Sequence, residues 1–256
     1  MKIFILCGGT GTRLDEEGKL KPKPLTQIGK DPILIHIMKI YSYYGFNEFV
    51  LCLGYKGKMI IDYFKNKYKK KIIEEKKINS YIFLNIKLSN QNYWKVYLVD
   101  TKINYGTGGR IKYAFKNLGL DEDIMMTYGD GVSNININQL VKFHYLKNKL
   151  TTLTAVFAPH RYGILKIKKN IISSFDNKNA NFDRINGGFF IISRKAISYI
   201  KNFNQYWESE PMQEIISKKQ FSAFKHNGFW ASLDTLKDKK NLNKLWYQKK
   251  APWKIW

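Results

Sequence analysis

The chain has 256 residues, 44% hydrophobic and 15% aromatic, which is enough apolar surface for a sizeable α/β core and too much for disorder. It contains no run of eighteen uncharged apolar residues, which excludes a membrane-spanning helix. Its formal charge of +24, with an isoelectric point near 9.8, asks for a polyanionic partner or a heavily solvated surface.

Lys2–Cys7 reads as a short buried strand. The same run resembles a signal-peptide core, but it passes directly into glycines and charges without a small-residue cleavage site, so it is assigned to the fold. Gly8-Gly9-Thr10-Gly11-Thr12-Arg13 follows as a loop. Pro32–Tyr44 predicts a helix, with Pro32 at its start and Ile33, Ile37, Ile40 and Tyr44 on one stripe. Glu48–Leu53 is the second strand, Gly54-Tyr55-Lys56-Gly57 a turn and Met59–Asn66 a helix. Strands at Val96–Asp100 and Asp123–Thr127 bracket a helix at Gly109–Lys116. Tyr128-Gly129-Asp130-Gly131 leads to a helix over Ile137–Lys147 and a strand over Thr151–Phe157. Short strands are then predicted at Ile164–Ile167, Ile171–Phe175, Ile185–Ile192 and Phe221–His226, with helices at Pro211–Ser217 and Asp234–Leu245.

This alternation predicts an α/β fold, a Rossmann-like mixed but mostly parallel sheet with helices on both faces. Residues 1–256 are expected to form one domain with a Trp-rich tail over 246–256. Lys65–Lys77 carries seven lysines and two glutamates, and with Ile78–Trp94 it interrupts the alternation. It reads as an excursion from the sheet, either a solvated helix end plus hairpin or an oligomer contact. Cys7 and Cys52 lie in apolar runs and read as buried core filler in a reducing, cytoplasmic setting.

Of the 44 basic residues only five are arginine. Nucleic-acid readers favour arginine for bidentate contacts, and Arg13, Arg110, Arg161 and Arg184 all fall in segments that look like a small-molecule site. Neither nucleic acid nor membrane is therefore expected as a partner. A polyanion-binding protein using the lysines remains the competing class.

A glycine-rich turn directly after the first strand exposes backbone amides at the carboxyl edge of a sheet, where phosphates bind. Gly8-Gly9-Thr10-Gly11 is neither a Walker loop nor a dinucleotide fingerprint, because no Gly-Lys-Ser/Thr follows and Arg13 replaces the third glycine. Its sequel strengthens it. Arg13 sits at the loop exit, and Lys21-Pro22-Lys23-Pro24 holds Lys23 in a pre-set direction; Lys21 reads as an exposed charge.

Gly-Gly-x-Gly-Thr-Arg-Leu, Lys-Pro-Lys-Pro and Ile-Gly-x-x-Pro-Ile-Leu together resemble the opening of the sugar-1-phosphate nucleotidylyltransferases, and within them the glucose-1-phosphate cytidylyltransferases. Matching segments continue in order through Gly106-Thr107-Gly108-Gly109-Arg110, Thr127–Val132, Ile185–Phe190, Trp207-Glu208-x-Glu210-Pro211, Phe229-Trp230, Asp234-Thr235-Leu236 and Ala251–Lys254, so the resemblance spans the chain.

The resemblance implies a reaction in which an acceptor phosphate displaces pyrophosphate from CTP with Mg²⁺, in a homo-oligomer. Gly8, Gly9, Thr10, Gly11, Thr12, Arg13 and Lys23 would hold the triphosphate, and Thr107, Gly108 and Arg110 would meet the nucleoside. Whether Arg110 reads the cytosine edge or the triphosphate is open, and UTP or dTTP is a nearby alternative. Asp130, between glycines at a strand end, suits Mg²⁺ as a hard oxygen ligand. Asp234 is the candidate second ligand, with a helix N-cap as its competing role. No nucleophilic side chain is required, so His36, His144 and His226 read as structural, and only His160, beside Arg161, would approach ligand.

Gly163, Asn177, Lys178, Arg184, Asn186, Gly187 and Trp230 form the expected acceptor pocket. Here the pattern departs. The family's Glu-Lys-Pro is replaced within Ser174-Phe175-Asp176-Asn177-Lys178-Asn179. A carboxylate accepts two sugar hydroxyls, whereas an amide also donates and Arg184 invites a carboxylate. The favoured expectation is a non-sugar acceptor such as L-glutamine phosphate, the substrate of a divergent branch of these enzymes. Glucose 1-phosphate is the alternative, with Asp176 slipping one place to supply the acid.

Overall fold

The computed structural model describes residues 1–9, 21–89, 92–157, 164–176 and 184–256. In chain order its elements begin with β1 (Ile3–Cys7), the two-strand ribbon of β2 (Gln27–Ile28) and β3 (Asp31–Pro32), α1 (Ile33–Tyr43), β4 (Glu48–Leu53), α2 (Gly57–Lys67), β5 (Ile72–Ile78), β6 (Tyr81–Lys87) and β7 (Tyr93–Asp100). They continue with α3 (Thr107–Asn117), β8 (Ile124–Tyr128), β9 (Gly131–Ser133), α4 (Ile137–Lys147), β10 (Thr151–Val156), β11 (Ile164–Lys168), β12 (Ile171–Asp176) and β13 (Arg184–Ile192). A six-residue 3-10 turn (Arg194–Tyr199), α5 (Glu210–Ser217), β14 (Phe221–His226), β15 (Trp230–Ser232) and α6 (Leu236–Tyr247) complete them.

The apolar runs become strands buried on both faces. Ile3, Ile5 and Cys7 of β1 join one core, and Phe4 and Leu6 the other. Phe49, Leu51 and Leu53 of β4 repeat the first set, Val50 and Cys52 the second. Such two-sided burial requires helices above and below. α1, α2, α4 and α6 cover the first face; α3, α5 and the 3-10 turn cover the second. Cys7 and Cys52 are buried, free and directed to opposite layers. Burial pushes the Cys52 thiol up to about 12 and the Cys7 thiol well above its usual value. No helix among the described residues is long and apolar enough to cross a membrane.

The sheet order is β10-β14-β12-β11-β13-β8-β1-β4-β7-β6-β5. Parallel pairing holds at its centre, where β1 lies between β4 and β8 and β4 pairs with β7. Antiparallel pairings flank this core, starting with β13 on one side and β6 on the other, and β10 and β14 form a further parallel pair at the edge. Chain order reverses at β1, so the crevice of an open α/β sheet opens at the carboxyl ends of β1, β4 and β8.

Residues 65–94 do not leave the sheet as expected. Lys65 and Lys67 close α2, then β5 and β6 form a hairpin that extends the sheet through β7. Leu84 and Ile86 are fully buried and anchor β6. β5 is the outermost strand, so Glu74, Glu75, Lys76 and Lys77 stay in water, and charge on such an edge discourages stray pairing.

The tail is a clamp. Trp253 is fully buried and donates its indole N–H to His36 Nδ1 at 3.2 Å, while His36 Nε2 donates to the Ile28 carbonyl at 2.8 Å. Trp246 meets the His36 ring edge-on at 4.6 Å and leaves no room beside Gly29, where a Cβ would lie 2.0 Å from the indole nitrogen. With one nitrogen donating and the other accepting, His36 is held neutral.

Burial holds His36, His144 and His226 below the usual histidine value of 6.5. The unfolded chain therefore takes up protons near 6.5 before the folded chain does. Stability from these groups is complete above 6.5 and is lost as pH falls through the folded-state values. Thermal melts should give a lower midpoint at pH 5.5 than at pH 7.5, with net proton uptake on unfolding near pH 6; equal midpoints and no uptake would contradict this.

Candidate active site

A cleft of about 780 Å³ lies at the carboxyl ends of the central strands. β1 delivers Gly8 and Gly9 to it. A Cβ on Gly8 would lie 1.9 Å from the guanidinium of Arg110 and would force that side chain to move, whereas Gly9 faces open space. Thr10, Gly11, Thr12 and Arg13 lie outside the described residues, as do Gly163, Asn177 and Lys178.

Arg110 was expected to meet nucleotide. Its buried side chain runs under the glycine turn and donates from Nη1 to the Leu53 carbonyl and Thr101 Oγ1, and from Nη2 to the Ile103 carbonyl, each at 3.0 Å. These partners are all neutral oxygens, and burial lowers the arginine pKa. The guanidinium thus places positive charge beneath the turn while its hydrogen bonds hold the ends of β4 and β7 together. Thr107 and Gly108 begin α3. There the Gly106 and Gly109 amides donate to the Phe203 and Gln205 carbonyls at 3.0 and 3.1 Å, and a Cβ on Gly109 would sit 1.7 Å from the Phe203 oxygen. The glycines of this motif serve a close backbone approach.

Asp130 and Asp234 meet. The device that brings them together is a ribbon too short to read from sequence, in which β9 pairs with β15 through Gly131–Ser232, Val132–Ala231 and Ser133–Trp230. Asp130 immediately precedes the ribbon, Asp234 follows it, and the Leu233 amide donates to the Asp130 carbonyl at 2.8 Å. Asp234 is not the N-cap of α6. Thr235 takes that place in a capping box with Asp238, because its hydroxyl can reach the N3 amide. The Asp234 carboxylate is left to face the cleft, where Ser232 Oγ donates to its Oδ2 at 2.7 Å.

Lys23 completes the group. Pro22, extended at φ −66° and ψ 142°, sets the direction of a single 3-10 turn, Lys23–Leu25. From it the Lys23 ammonium donates to Asp130 Oδ2 and to Asp234 Oδ1, both at 2.6 Å. Burial works against the ammonium, but the two carboxylates outweigh it and hold its pKa above 10.5. Its stabilising share is therefore complete below pH 10.5 and lost only as pH rises through the folded-state value.

One cation thus already sits between two carboxylates, so the pair can hold another. Among the described residues no group of three or more His, Cys, Asp or Glu side chains converges. A cation here would draw the rest of its shell from water and phosphates, which suits Mg²⁺ rather than a self-contained zinc cage.

Tyr128 and Glu208 also line the cleft. Tyr128 donates to Glu208 Oε1, and Thr107 donates to Oε2 at 2.5 Å. Asn186 Nδ2 donates to the Tyr128 hydroxyl at 3.3 Å, so this expected acceptor residue adjoins the cleft through Tyr128, and the Trp230 indole N–H donates to the Gly187 carbonyl at 2.6 Å. Arg184 does not join them. Its Nη1 donates to the Ala155 and His226 carbonyls at 2.9 and 2.8 Å, Nη2 bonds Asn227 Oδ1, and the guanidinium covers the Phe157 ring at 4.0 Å. Its role is to satisfy carbonyls at the ends of β10 and β14. Glu208 belongs to the Trp207-Glu208-x-Glu210-Pro211 motif, whose spacing alone gives the carboxylate no role.

The model of the nucleotidyl transferase family matches residues 2–239. The chain is 42% identical over 260 residues to a glucose-1-phosphate cytidylyltransferase of Salmonella typhimurium, covering 100% of both sequences. It is 38% identical over 258 residues to a probable glucose-1-phosphate cytidylyltransferase of Bacillus subtilis, again over 100% of both. The crystal structure of HddC from Yersinia pseudotuberculosis superposes with a TM-score of 0.74 at 22% identity, covering 96% of this chain and 99% of that one, which shows a shared fold.

Proposed function

The chain belongs to the nucleotidyl transferase family, and on that premise we propose that it moves CMP from CTP onto the phosphate of glucose 1-phosphate, forming CDP-glucose and pyrophosphate. The observation that carries the chemistry is the Lys23 ammonium held 2.6 Å from both Asp130 and Asp234 at the floor of the cleft. The choice of nucleotide and acceptor rests on the full-length similarity to the two cytidylyltransferases.

In the reaction an acceptor phosphate oxygen bonds to the α-phosphorus of CTP as the bond to the β-phosphate oxygen breaks. Both partners are polyanions, so aligning them and offsetting their repulsion is most of the catalytic task. Lys23 supplies positive charge at the reacting phosphate. Arg110 adds charge from beneath the turn, and Arg13 would stabilise the departing pyrophosphate. Asp130 and Asp234 would hold Mg²⁺, which when bound supplies charge neutralisation across the phosphates.

One sequence feature favours a second acceptor. Asn177-Lys178-Asn179 stands where the sugar enzymes have Glu-Lys-Pro, so an amide takes the place of the hydroxyl-gripping acid and Asp176, one residue earlier, is the nearest acid in sequence. A phosphorylated amino acid such as L-glutamine phosphate suits the neutral amide better. Pyrophosphate release with CTP and Mg²⁺ should be fastest with glucose 1-phosphate in a screen that includes L-glutamine phosphate. Faster release with L-glutamine phosphate would transfer the assignment to that acceptor, and no release with any acceptor would favour the polyanion-binding class.

A further inference from the structure

We propose that Glu208 is a diol-binding carboxylate, which receives two neighbouring hydroxyl groups of a bound ligand: the ribose of the nucleotide or a hydroxyl pair on a polyol acceptor. The ligand classes rest on the transferase reading, whereas the hydrogen-bonding capacity of Glu208 does not.

Glu208 lies in the turn before α5, half-buried, with its side chain lining the cleft. Among the described residues its two partners are oriented hydroxyls. Tyr128 O–H accepts from Asn186 and so has its single proton to give to Oε1. Thr107 Oγ1 accepts from the Trp207 amide at 2.8 Å and so gives its proton to Oε2.

A carboxylate offers about four lone-pair positions, two on each oxygen. Tyr128 and Thr107 occupy one on each. One position therefore remains on each oxygen of a planar group whose orientation is already fixed from two sides. Two adjacent acceptors match the two donors of a vicinal diol, and preorganisation lowers the cost of binding it.

Charge points the same way. Asp130 and Asp234 share the Lys23 ammonium, whereas the partners of Glu208 among the described residues are neutral hydroxyls. An uncompensated carboxylate repels phosphate. It belongs beside the neutral, hydroxyl-bearing part of a ligand whose phosphates lie toward Lys23 and the glycine turn.

The test is a cycle of one side chain against one hydroxyl. Binding of CTP and 2′-deoxy-CTP is measured by calorimetry without acceptor, and KM is measured for glucose 1-phosphate and a deoxygenated glucose phosphate. In the wild type, removing the hydroxyl that meets Glu208 should weaken the ligand about tenfold, as expected for a hydrogen bond to a charged group. In Glu208→Gln that penalty should shrink severalfold, because the amide keeps one neutral acceptor and turns the other into a donor. A ribose contact shows in the nucleotide arm, and an acceptor contact in the KM arm.

Tyr128→Phe leaves the carboxylate in place and should keep the discrimination. Glu208→Asp serves if the amide variant does not fold, since it withdraws the acid by one methylene. Equal weakening of parent and deoxy ligand in both variants would reduce Glu208 to a tie between α3 and β8 and overturn the proposal. So would a wild type indifferent to either hydroxyl. CTP binding with this discrimination but no pyrophosphate release would sink the transferase reading and leave Glu208 standing.

Discussion

Asp130→Asn and Asp234→Asn should each cut pyrophosphate release by at least about a thousandfold, roughly 4 kcal/mol of lost transition-state stabilisation. Asparagine keeps the shape and the hydrogen bond to Lys23 but removes one of two negative charges that converge on a single point. The aspartates arrive by separate routes, one from the end of β8 and one from the end of β15, yet they share one ammonium at 2.6 Å. A role confined to pairing Lys23 predicts something milder, because either acid alone would still hold it. Steady-state rates over a range of Mg²⁺ concentrations decide. A variant within tenfold of the wild type at saturating Mg²⁺ would remove the two-carboxylate cation site from the mechanism.

Lys23→Met should reduce turnover about a hundredfold or more, the scale seen when one charge-stabilising donor is lost. It should also change how the empty protein responds to divalent ions. Without the ammonium, two carboxylates face each other across the cleft floor, and like charges that close disfavour the compact state. In EDTA the thermal midpoint should fall by about 3–6 °C, as a loss of about 1–2 kcal/mol implies for a chain of this length. Millimolar Mg²⁺ should recover more of that loss in the variant than it adds to the wild type, where Lys23 competes for the same oxygens. An unchanged midpoint with no Mg²⁺ response would show that the contact holds nothing together.

The parts of the fold legible in the sequence were those where burial alone decides. Glu48–Leu53 and Phe221–His226 coincide with β4 and β14, and Ile137–Lys147 with α4, because their apolar patterns match the period of the element. Parallel pairing holds among the central strands and again between β10 and β14, with antiparallel strands between, since pairing direction is set by connections and not by the pattern of one strand. The helix end and hairpin over 65–94 match one of the two readings of that stretch, but their place in the sheet is not legible, because an edge strand has little to bury and Glu74 to Lys77 look like a solvated run. β9 and β15 are three residues each, shorter than any periodic signal, yet they decide where Asp130 and Asp234 meet.

At the site, Lys23 was legible because its prolines constrain it. Asp234 was half legible, since an aspartate followed by a threonine offers two caps and only the geometry shows that Thr235 takes the role. Arg184 was misplaced because a charged residue near expected ligand residues looks like a contact, whereas here free carbonyls claim it.

The aromatic clamp at the end of the chain has an optical consequence. Trp246, Trp253 and Trp256 are half of the six tryptophans, and their rings lie 4.6 to 6.3 Å from the imidazole of His36. Intrinsic ultraviolet emission is therefore weighted toward one spot, joined through Ile28 and Gly29 to the short segment that carries Lys23. Loosening of that segment, or charging of the ring among the indoles, should register as a change in intensity and colour without any added dye.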